Sequence, residues 1–317
     1  MKPVPDYTWL VKLSKKGYTV LQLIFYRRFT MQLRLRLGHT TVTFLADSFI
    51  PWDDRLSVFA APSDGLASDF IYTVTLTDRI EGCHGTLLRQ TRFFSVYADR
   101  GREIWYYTFP DGQIYASCRE ESDQHFTISY LRDFKEYLSG NATLFYLSAL
   151  EYRMIVRGDL ILHSSFILDQ EKAILFAAPS GTGKSTQAHL WQDVRGSRIV
   201  NGDRALLSVV NGQWFACGWP MSGSSGISSP CKAPVAAVVL LSQSVHNHGS
   251  RLDVADSFSQ LKQEIVLRPW CQQDIVRAGG QLQSFCSQVP VYAYACSKDS
   301  SAVDALYALL TDRFRTS

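Results

Sequence analysis

Apolar and polar side chains alternate along the first half of the chain from Met31 onward. Leu33, Leu35 and Leu37 fall on one side of an extended segment, and the polar residues between them fall on the other. This period of two predicts a half-buried strand. Similar runs, separated by turn residues, predict further strands at residues 41–45, 70–75, 86–88, 93–97, 104–109, 114–118 and 126–130. Residues 31–140 are therefore expected to form an antiparallel, β-rich domain.

The second half of the chain mixes strand-like runs with apolar residues at helical spacing. A helix is predicted over residues 141–157, with Asn141 as its N-cap. Short apolar runs predict strands at residues 160–168, 173–177, 198–200, 205–210, 214–217, 235–241 and 291–295. Further helices are predicted at residues 184–193, 254–265, 272–288 and 300–315. The expected fold class is α/β (α+β), with residues 141–317 as a second domain.

Residues 1–30 fit neither pattern. Basic residues surround short apolar runs there, and the segment lacks the apolar stretch and the cleavage site of a secretion signal. Three interpretations fit this composition: a basic helix that binds a surface, a disordered extension, or a reading frame extended upstream of Met31. The segment is therefore expected to be an atypical N-terminal extension that adds nothing to the fold.

Composition narrows the class of protein. With 46% hydrophobic and 19% charged residues, the chain of 317 residues can bury the core of one large domain or two ordinary ones. A net charge of +3 is too small to indicate nucleic-acid binding, and no apolar run reaches transmembrane length. The seven cysteines are scattered and form no C-x-x-C pair, which is typical of reduced thiols in a cytoplasmic protein.

A loop of small residues follows the strand predicted at residues 173–177. Its residues are Ala178, Pro179, Ser180, Gly181, Thr182, Gly183, Lys184, Ser185 and Thr186. They match the phosphate-binding pattern G-x-x-x-x-G-K-[ST], except that Ala178 replaces the first glycine. A strand before the loop and a helix after it allow the backbone N–H groups, the lysine and the positive helix end to face phosphates.

This loop is expected to bind the phosphates of a nucleoside triphosphate. Lys184 is predicted to contact the β- and γ-phosphates, and the Ser185 hydroxyl is predicted to bind Mg²⁺. The sequence contains no Asn-Lys-x-Asp guanine motif, so the expected nucleotide is ATP.

A nucleotide site with Mg²⁺ needs a second anchor, usually an aspartate at the end of a nearby strand. Asp203 follows the strand predicted at residues 198–200. An ordinary turn also fits, because Asn201-Gly202 is a strong turn pair. The position of Asp203 and the neighbouring Arg204 favour the metal ligand.

Three other features are open to two interpretations each. His163, in the strand before the loop, is either a structural histidine or a group near the phosphates. The glycine- and serine-rich residues 218–226 either bind an anion or close over a substrate, or form a plain flexible loop. His246 and His248 fit a polar turn better than a metal site, because no other ligands lie nearby in sequence.

The order of His163, the glycine-rich loop, a helix and Asp203-Arg204 resembles the catalytic domain of HPr kinase/phosphorylase. It is also similar to the HPr-kinase-like proteins found beside peptide-modification genes, and this superfamily shares its core with ATP-dependent phosphoenolpyruvate carboxykinase. The resemblance covers about residues 155 to 310 and implies a P-loop kinase domain that uses ATP and Mg²⁺. The catalytic residues that it implies are Lys184, Asp203, His163 and Arg204, and the implied metal ligands are Ser185 and Asp203.

One position departs from the family pattern. The family has Asp-Asp-Arg at the end of this strand, and its first aspartate, the base for the acceptor hydroxyl, is Gly202 here. Asn201 cannot act as a base. Three interpretations stay open: Asp203 serves both functions, another carboxylate enters the site, or phosphoryl transfer is weak.

The resemblance thus implies ATP-dependent phosphoryl transfer to a hydroxyl of a peptide, a protein or a small molecule. HPr itself is not expected as the acceptor, because the downstream family segment associated with HPr is missing. The alternative is a nucleotide-binding regulator or scaffold with little transfer activity, which Gly202 suggests. Family members often assemble, so the resemblance also allows a homo-oligomer.

Overall fold

The computed structural model describes residues 31–62, 67–140 and 142–311. The predicted N-terminal extension, the predicted cap Asn141 and the end of the predicted C-terminal helix lie outside the described residues.

The first half of the described chain forms an eight-stranded sheet with the order β1-β2-β3-β8-β7-β6-β5-β4. Its strands are β1 (Met31–Leu37), β2 (Thr40–Ala46), β3 (Phe70–Thr77), β4 (Thr86–Gln90), β5 (Phe94–Asp99), β6 (Arg102–Thr108), β7 (Ile114–Glu120) and β8 (His125–Leu131). Each strand predicted from the alternation is present. The predicted antiparallel arrangement is wrong at β3, which is parallel to both β2 and β8. Neither of these pairs is closed by a hairpin, so nothing in the connections requires antiparallel pairing.

One face of this sheet packs against an aromatic core. In β3, alternate residues from Phe70 to Leu76 are buried. Tyr72 stacks between Phe44 of β2 and Phe126 of β8, with ring centroids 5.1 and 4.8 Å apart. The aromatic residues on the inner face of these strands are therefore core residues, since the pleat directs every second side chain into the interior, whereas Phe49, Phe93 and Tyr137 are exposed.

The predicted helix over residues 141–157 is wrong. The segment is broken into α2 (Thr143–Leu147) and two short 3-10 turns, Leu150–Tyr152 and Met154–Arg157. Ala149 takes a left-handed backbone conformation with φ 50°. The Ser148 hydroxyl donates to the carbonyl of Phe145 and so ends the helix. Apolar residues are buried all around the segment, which a single helix with one apolar face cannot achieve.

The second half forms a nine-stranded sheet on which the remaining helices pack. Its strands are β9 (Leu160–Asp169), β10 (Lys172–Ala177), β11 (Arg198–Asn201), β12 (Arg204–Val210), β13 (Gln213–Cys217), β14 (Lys232–Gln243), β15 (His248–Arg251), β16 (Ile265–Val266) and β17 (Val291–Cys296). The helices are α3 (Lys184–Arg195), α4 (Val254–Leu261), α5 (Gln272–Gln288) and α6 (Ser301–Leu310). A further short helix, α1 (Asp54–Ser57), lies in the first half and was not predicted.

Two long strands join the parts of this second sheet. β9 pairs with β12 and β16 through its first residues, and with β10 and β11 through its later ones. β14 pairs with β13 near its start, and then runs parallel to both β10 and β17. The strands β10, β14 and β17 therefore form a parallel centre within a mixed sheet, and the middle of β14, from Ala236 to Val239, is buried, as a parallel strand covered on both faces requires.

Side chains of β10 alternate between two apolar layers. Leu175 faces the layer that contains Phe285 of α5, and Phe176 faces the layer that contains Trp191 of α3 and Leu306 of α6. Helices on both sides thus fix the strand that leads into the glycine-rich loop. The predicted boundaries of α5 match those observed, whereas the helix predicted at residues 254–265 ends at Leu261, and Ile265 belongs to β16. His248, predicted in a polar turn, begins the edge strand β15.

Candidate functional site

The glycine-rich loop, residues 178–186, connects β10 to the first turn of α3. Gly181 and Gly183 have φ values of +80° and +122°, a conformation that residues with a side chain rarely adopt. Ala178, which replaces the first glycine of the pattern, is not among the residues with positive φ. The alanine is therefore tolerated at this position without backbone strain.

Lys184 is the first residue of α3, and its side chain turns back across the loop. Its ammonium group donates a hydrogen bond of 2.7 Å to the carbonyl of Ala178. The residue is only 9% exposed. Burial lowers the pKa of Lys184, against the opposing effect of the negative charges of Glu264 and Asp203. The loop thus holds a partly desolvated cation beside two carboxylates.

A cleft of about 310 Å³ opens in front of this loop. Its walls are formed by His163, Ser180, Gly181, Gly183, Lys184, Ser185, Thr186, Gly202, Asp203, Ser224 and Ser225. The structure thus brings together most of the residues that the sequence singled out. Among the described residues, Ala178, Pro179, Thr182 and Arg204 are predicted site residues that do not line this cleft.

Asp203 enters the cleft from a turn that Asn201 organises. The Asn201 side-chain carbonyl accepts hydrogen bonds from the backbone N–H groups of Asp203 and Arg204, at 2.8 and 2.9 Å. Its amide donates to the carbonyls of Trp219 and Met221. Asn201 is fully buried. It therefore links the turn that presents Asp203 to the segment that leads into residues 222–226.

His163 lies between two carboxylates. Because Arg204 is the cross-strand partner of His163, the residue before it, Asp203, comes next to the imidazole ring. Nε2 of His163 lies 3.2 Å from Asp203, and Nδ1 lies 3.2 Å from Glu264. The backbone N–H of His163 also donates to the carbonyl of Glu264. A doubly protonated ring can donate to both carboxylates, whereas a neutral ring can donate to one.

Arg204 contacts the other side of Asp203. Its guanidinium pairs with the Asp203 carboxylate and, through Nε, with Glu151 at 2.9 Å. Burial raises the pKa of Glu151, although the charge of Arg204 opposes this rise. Arg204 is thus held between two carboxylates, so it fixes the orientation of Asp203 from outside the cleft.

Asp203 stays ionised in this environment. Burial opposes ionisation, but the contact with His163 and the charges of Arg204 and Lys184 outweigh burial, so the pKa of Asp203 lies below its ordinary value. An ionised carboxylate and the Ser185 hydroxyl on the same cleft suit Mg²⁺, which binds through one or two carboxylates and keeps water and phosphate oxygens as its other ligands. The described residues contain no cluster of three or more His, Cys, Asp and Glu arranged to hold a metal, so the protein alone offers no complete metal cage.

Gly202 is closely covered by residues 222–226, which we call the serine loop. A Cβ atom added to Gly202 would lie 2.2 Å from Oγ and 2.4 Å from Cβ of Ser225. A side chain therefore cannot be placed at position 202 unless the serine loop moves. The aspartate that the resembling family carries at this position is excluded by Ser225 in the present arrangement.

A larger cleft, of about 460 Å³, lies elsewhere in the molecule. Its charged residues are already paired: Arg157 with Asp69 at 2.8 Å, and Arg102 with Asp123 at 2.6 Å. This cleft offers neither a glycine-rich loop nor a lysine, whereas the smaller cleft is lined by Gly181, Gly183 and Lys184, so the smaller cleft is the better candidate site.

Two broader expectations can be compared with the structure. All seven cysteines are free, as the scattered spacing predicted. Within the described part of the chain, no helix combines the length and the apolar character needed to span a membrane.

Comparisons with known proteins give little further guidance. No protein-family model matches the sequence, and no curated protein matches it. Among solved structures, the Hpr(Ser) kinase/phosphatase from Coxiella burnetii is similar, with a TM-score of 0.27 and 12% sequence identity, over 49% of this chain and 95% of that chain. A TM-score this low does not establish a shared fold, so the family expected from the motif stays a prediction.

Two carboxylates of the site, Glu264 and Glu151, have no signal in the sequence that separates them from ordinary positions. Glu264 reaches His163 because β16 pairs with β9, and nothing in its neighbourhood predicts this pairing. Glu151 lies in the segment that was predicted as a helix. Asn201 did carry a signal, because Asn201-Gly202 is a strong turn pair, but the hydrogen bonds by which its side chain holds Asp203, Arg204, Trp219 and Met221 were not predicted.

Proposed function

We propose that this chain transfers the γ-phosphoryl group of ATP, with the assistance of Mg²⁺, to a hydroxyl group of a peptide, a protein or a small molecule. The observation that carries the proposal is the shared cleft of Lys184, Ser185 and Asp203. Phosphoryl transfer needs positioning and neutralisation of phosphate charge more than covalent chemistry by the protein. A buried cation, a hydroxyl and an ionised carboxylate around one cleft meet that need.

Each residue has a distinct part in the proposed reaction. Lys184 neutralises charge on the β- and γ-phosphates, and the N–H groups of the glycine-rich loop bind their oxygens. Ser185 and Asp203 are the residues that would hold Mg²⁺, which when bound neutralises further phosphate charge. His163 and Arg204 are positioning residues, since each contacts Asp203 and fixes the direction of its carboxylate.

The cleft contains a carboxylate that can accept the proton of the acceptor hydroxyl. Asp203 is the one carboxylate among the described residues that line it. Its pKa lies below the ordinary value, which makes it a weak base. A weak base is sufficient when the transition state is loose, because little charge develops on the attacking oxygen. Asp203 can therefore accept the proton late in the reaction.

The test is transfer of label from [γ-³²P]ATP in the presence of Mg²⁺ to a panel of serine- and threonine-containing peptides and small alcohols. We expect labelled acceptor with the unmodified chain and loss of labelling in Lys184→Ala and Asp203→Asn. Lys298→Ala is the matched control, since Lys298 is exposed and lies outside the cleft. Equal labelling by Lys184→Ala and the unmodified chain would contradict the proposal.

A nucleotide-binding regulator is the second candidate, and one observation favours it. Ser225 fills the space beside Gly202, where the resembling family carries its base. The same experiment separates the two functions. Tight binding of Mg·ATP, without transfer to any acceptor or to the chain itself, would favour the regulator.

A further inference from the structure

The serine loop contributes Ser224 and Ser225 to the wall of the cleft. Two sets of hydroxyl side chains line the cleft. One set belongs to the glycine-rich loop, where the expected partners of the hydroxyls are phosphates and Mg²⁺. These residues are Ser180, Ser185 and Thr186. The other set, Ser224 and Ser225, belongs to the serine loop. An acceptor hydroxyl of the chain itself would therefore come from one of these two residues.

Two close contacts fix the serine loop over the end of β11 and the start of β12. A Cβ atom added to Gly223 would lie 2.9 Å from Cγ of Asp203, and one added to Gly202 would lie 2.2 Å from Oγ of Ser225. Ser224 lies between these two contact points. Ser224 thus lines the same cleft as Asp203, and its neighbours in sequence, Gly223 and Ser225, lie close to Asp203 and Gly202.

The two serines differ in what their hydroxyls do. The Ser225 hydroxyl donates to the carbonyl of Ser222 at 2.7 Å and accepts from the N–H of Ile227 at 3.2 Å. It therefore shapes the loop. Ser224 is exposed, and Gly223 and Gly226 on either side of the pair both have positive φ. Because the hydrogen bonds that shape the loop run through the Ser225 hydroxyl, a reaction at the Ser224 hydroxyl leaves them intact.

We propose that Ser224 is phosphorylated in cis by ATP bound at the glycine-rich loop; this inference rests on the proposed function. The Ser224 oxygen forms a bond to the γ-phosphorus, and the bond from that phosphorus to the β–γ bridging oxygen breaks. ADP leaves with the electron pair, and the hydroxyl proton passes to the Asp203 carboxylate and then to water. The products are phosphoserine, ADP and one proton, so no other reactant is needed.

Phosphorylation of Ser224 should hinder the binding of a second ATP molecule. A phosphoserine adds a charge of about −2 next to the carboxylate of Asp203 and in the same cleft as the phosphates of a second ATP. Like charges that share one partly buried cleft repel each other. We therefore expect the phosphorylated chain to bind Mg·ATP more weakly than the unmodified chain.

The experiment follows phosphate incorporation into the full chain incubated with [γ-³²P]ATP and Mg²⁺, at two protein concentrations that differ about tenfold. The modified residue is located by mass spectrometry of the digested chain. We expect a single phosphate on Ser224, formed at a first-order rate that does not change with protein concentration. Ser224→Ala should remain unlabelled although it still binds Mg·ATP, which calorimetry checks. Ser228→Ala, which lies in the same segment outside the cleft, should be labelled normally.

The other outcomes separate this inference from the proposed function. If the chain binds Mg·ATP and labels an added acceptor while Ser224 stays unmodified, the inference fails and the proposed function stands. Label on Ser225 or on a residue outside the loop also overturns the inference. A rate that rises with protein concentration rejects the transfer in cis. Failure to bind Mg·ATP overturns both proposals.

Discussion

Replacement of Gly202 by alanine is expected to displace the serine loop from Asp203. The added Cβ would lie 2.2 and 2.4 Å from two atoms of Ser225, more than 1 Å inside ordinary carbon contact. The third neighbour, the carbonyl oxygen of Ser222, lies at 3.8 Å and is not crowded. Overpacking of this kind costs about 1–3 kcal/mol, because the loop must shift before the methyl group fits.

The clash with Ser225 can be isolated by a double-mutant cycle. Ser225→Gly removes both crowded atoms, at a cost of about 1–2 kcal/mol for the hydrogen bonds that its hydroxyl makes. In the double variant, alanine at position 202 should then cost little. The coupling free energy between the two positions should be about 1–3 kcal/mol in the stabilising direction.

The assay is urea unfolding of the four proteins in the cycle, together with calorimetric titration of Mg·ATP. Gly82→Ala is the control, because a Cβ atom at that position would meet nothing within 4 Å. Gly202→Ala should be less stable than the control, and its Mg·ATP affinity should change because Asp203 and the loop share the cleft. If Gly202→Ala is as stable as the unmodified chain, or if the two substitutions add without coupling, the close approach of Ser225 to Gly202 is refuted.

Four further outcomes are expected. Burial raises the pKa of Asp159 from 3.8 to about 6, so the free energy of unfolding falls as the pH rises through this range. Asp159→Asn should abolish up to about 3 kcal/mol of that fall in urea unfolding, and an unchanged pH dependence of the unfolding free energy would contradict the prediction. Gly279→Ala should stabilise α5 by about 0.5–1 kcal/mol, because the added methyl group meets nothing within 4 Å; a loss of stability would show hidden crowding. His163→Gln should raise the pKa of Asp203, so that Mg·ATP affinity begins to fall at a higher pH as the solution is acidified. Calorimetric titration of Mg·ATP over a series of pH values measures this shift, and an unchanged pH dependence of the affinity would contradict it. Asn201→Ala should reduce the free energy of unfolding by at least about 2 kcal/mol, because two carbonyls and two N–H groups lose their hydrogen-bond partner. A near-neutral effect on unfolding would exclude the organising role of Asn201.

Sequence periodicity predicted the elements best where one face of each is buried. The residues of α5 were predicted with the observed boundaries, since its apolar positions recur at helical spacing and Pro290 follows its end. The helix predicted over residues 141–157 was wrong for the opposite reason. Leu144, Phe145 and Leu147 are all buried, so the apolar spacing that resembled a helix was only part of a pattern set by tertiary packing.

Strand direction was harder to predict than strand position. The alternation in β3 indicated a strand, but its parallel pairing with β2 and β8 depends on how distant segments meet. Local sequence carries no information on that choice when no hairpin joins the strands.

The residues of the candidate site also fall into those that local sequence could predict and those that it could not. The glycine-rich loop could be recognised because its residues are consecutive and each has a local physical reason. Glu264 could not, because its contact with His163 depends on the two-residue strand β16 lying against β9. The crowding of Gly202 by Ser225 was also hidden, since a glycine in a turn looks the same in sequence whether or not another loop covers it.

Binding of Mg·ATP tests the central claim most directly. Calorimetric titration of the full chain should give one nucleotide site, and Lys184→Ala should weaken binding by about tenfold to a hundredfold, the loss expected for one charge-assisted contact to phosphate. Lys298→Ala, an exposed lysine outside the cleft, should bind as the unmodified chain does. Equal affinity of Lys184→Ala and the unmodified chain, or no binding by either, would contradict the assignment of the cleft as a nucleotide site.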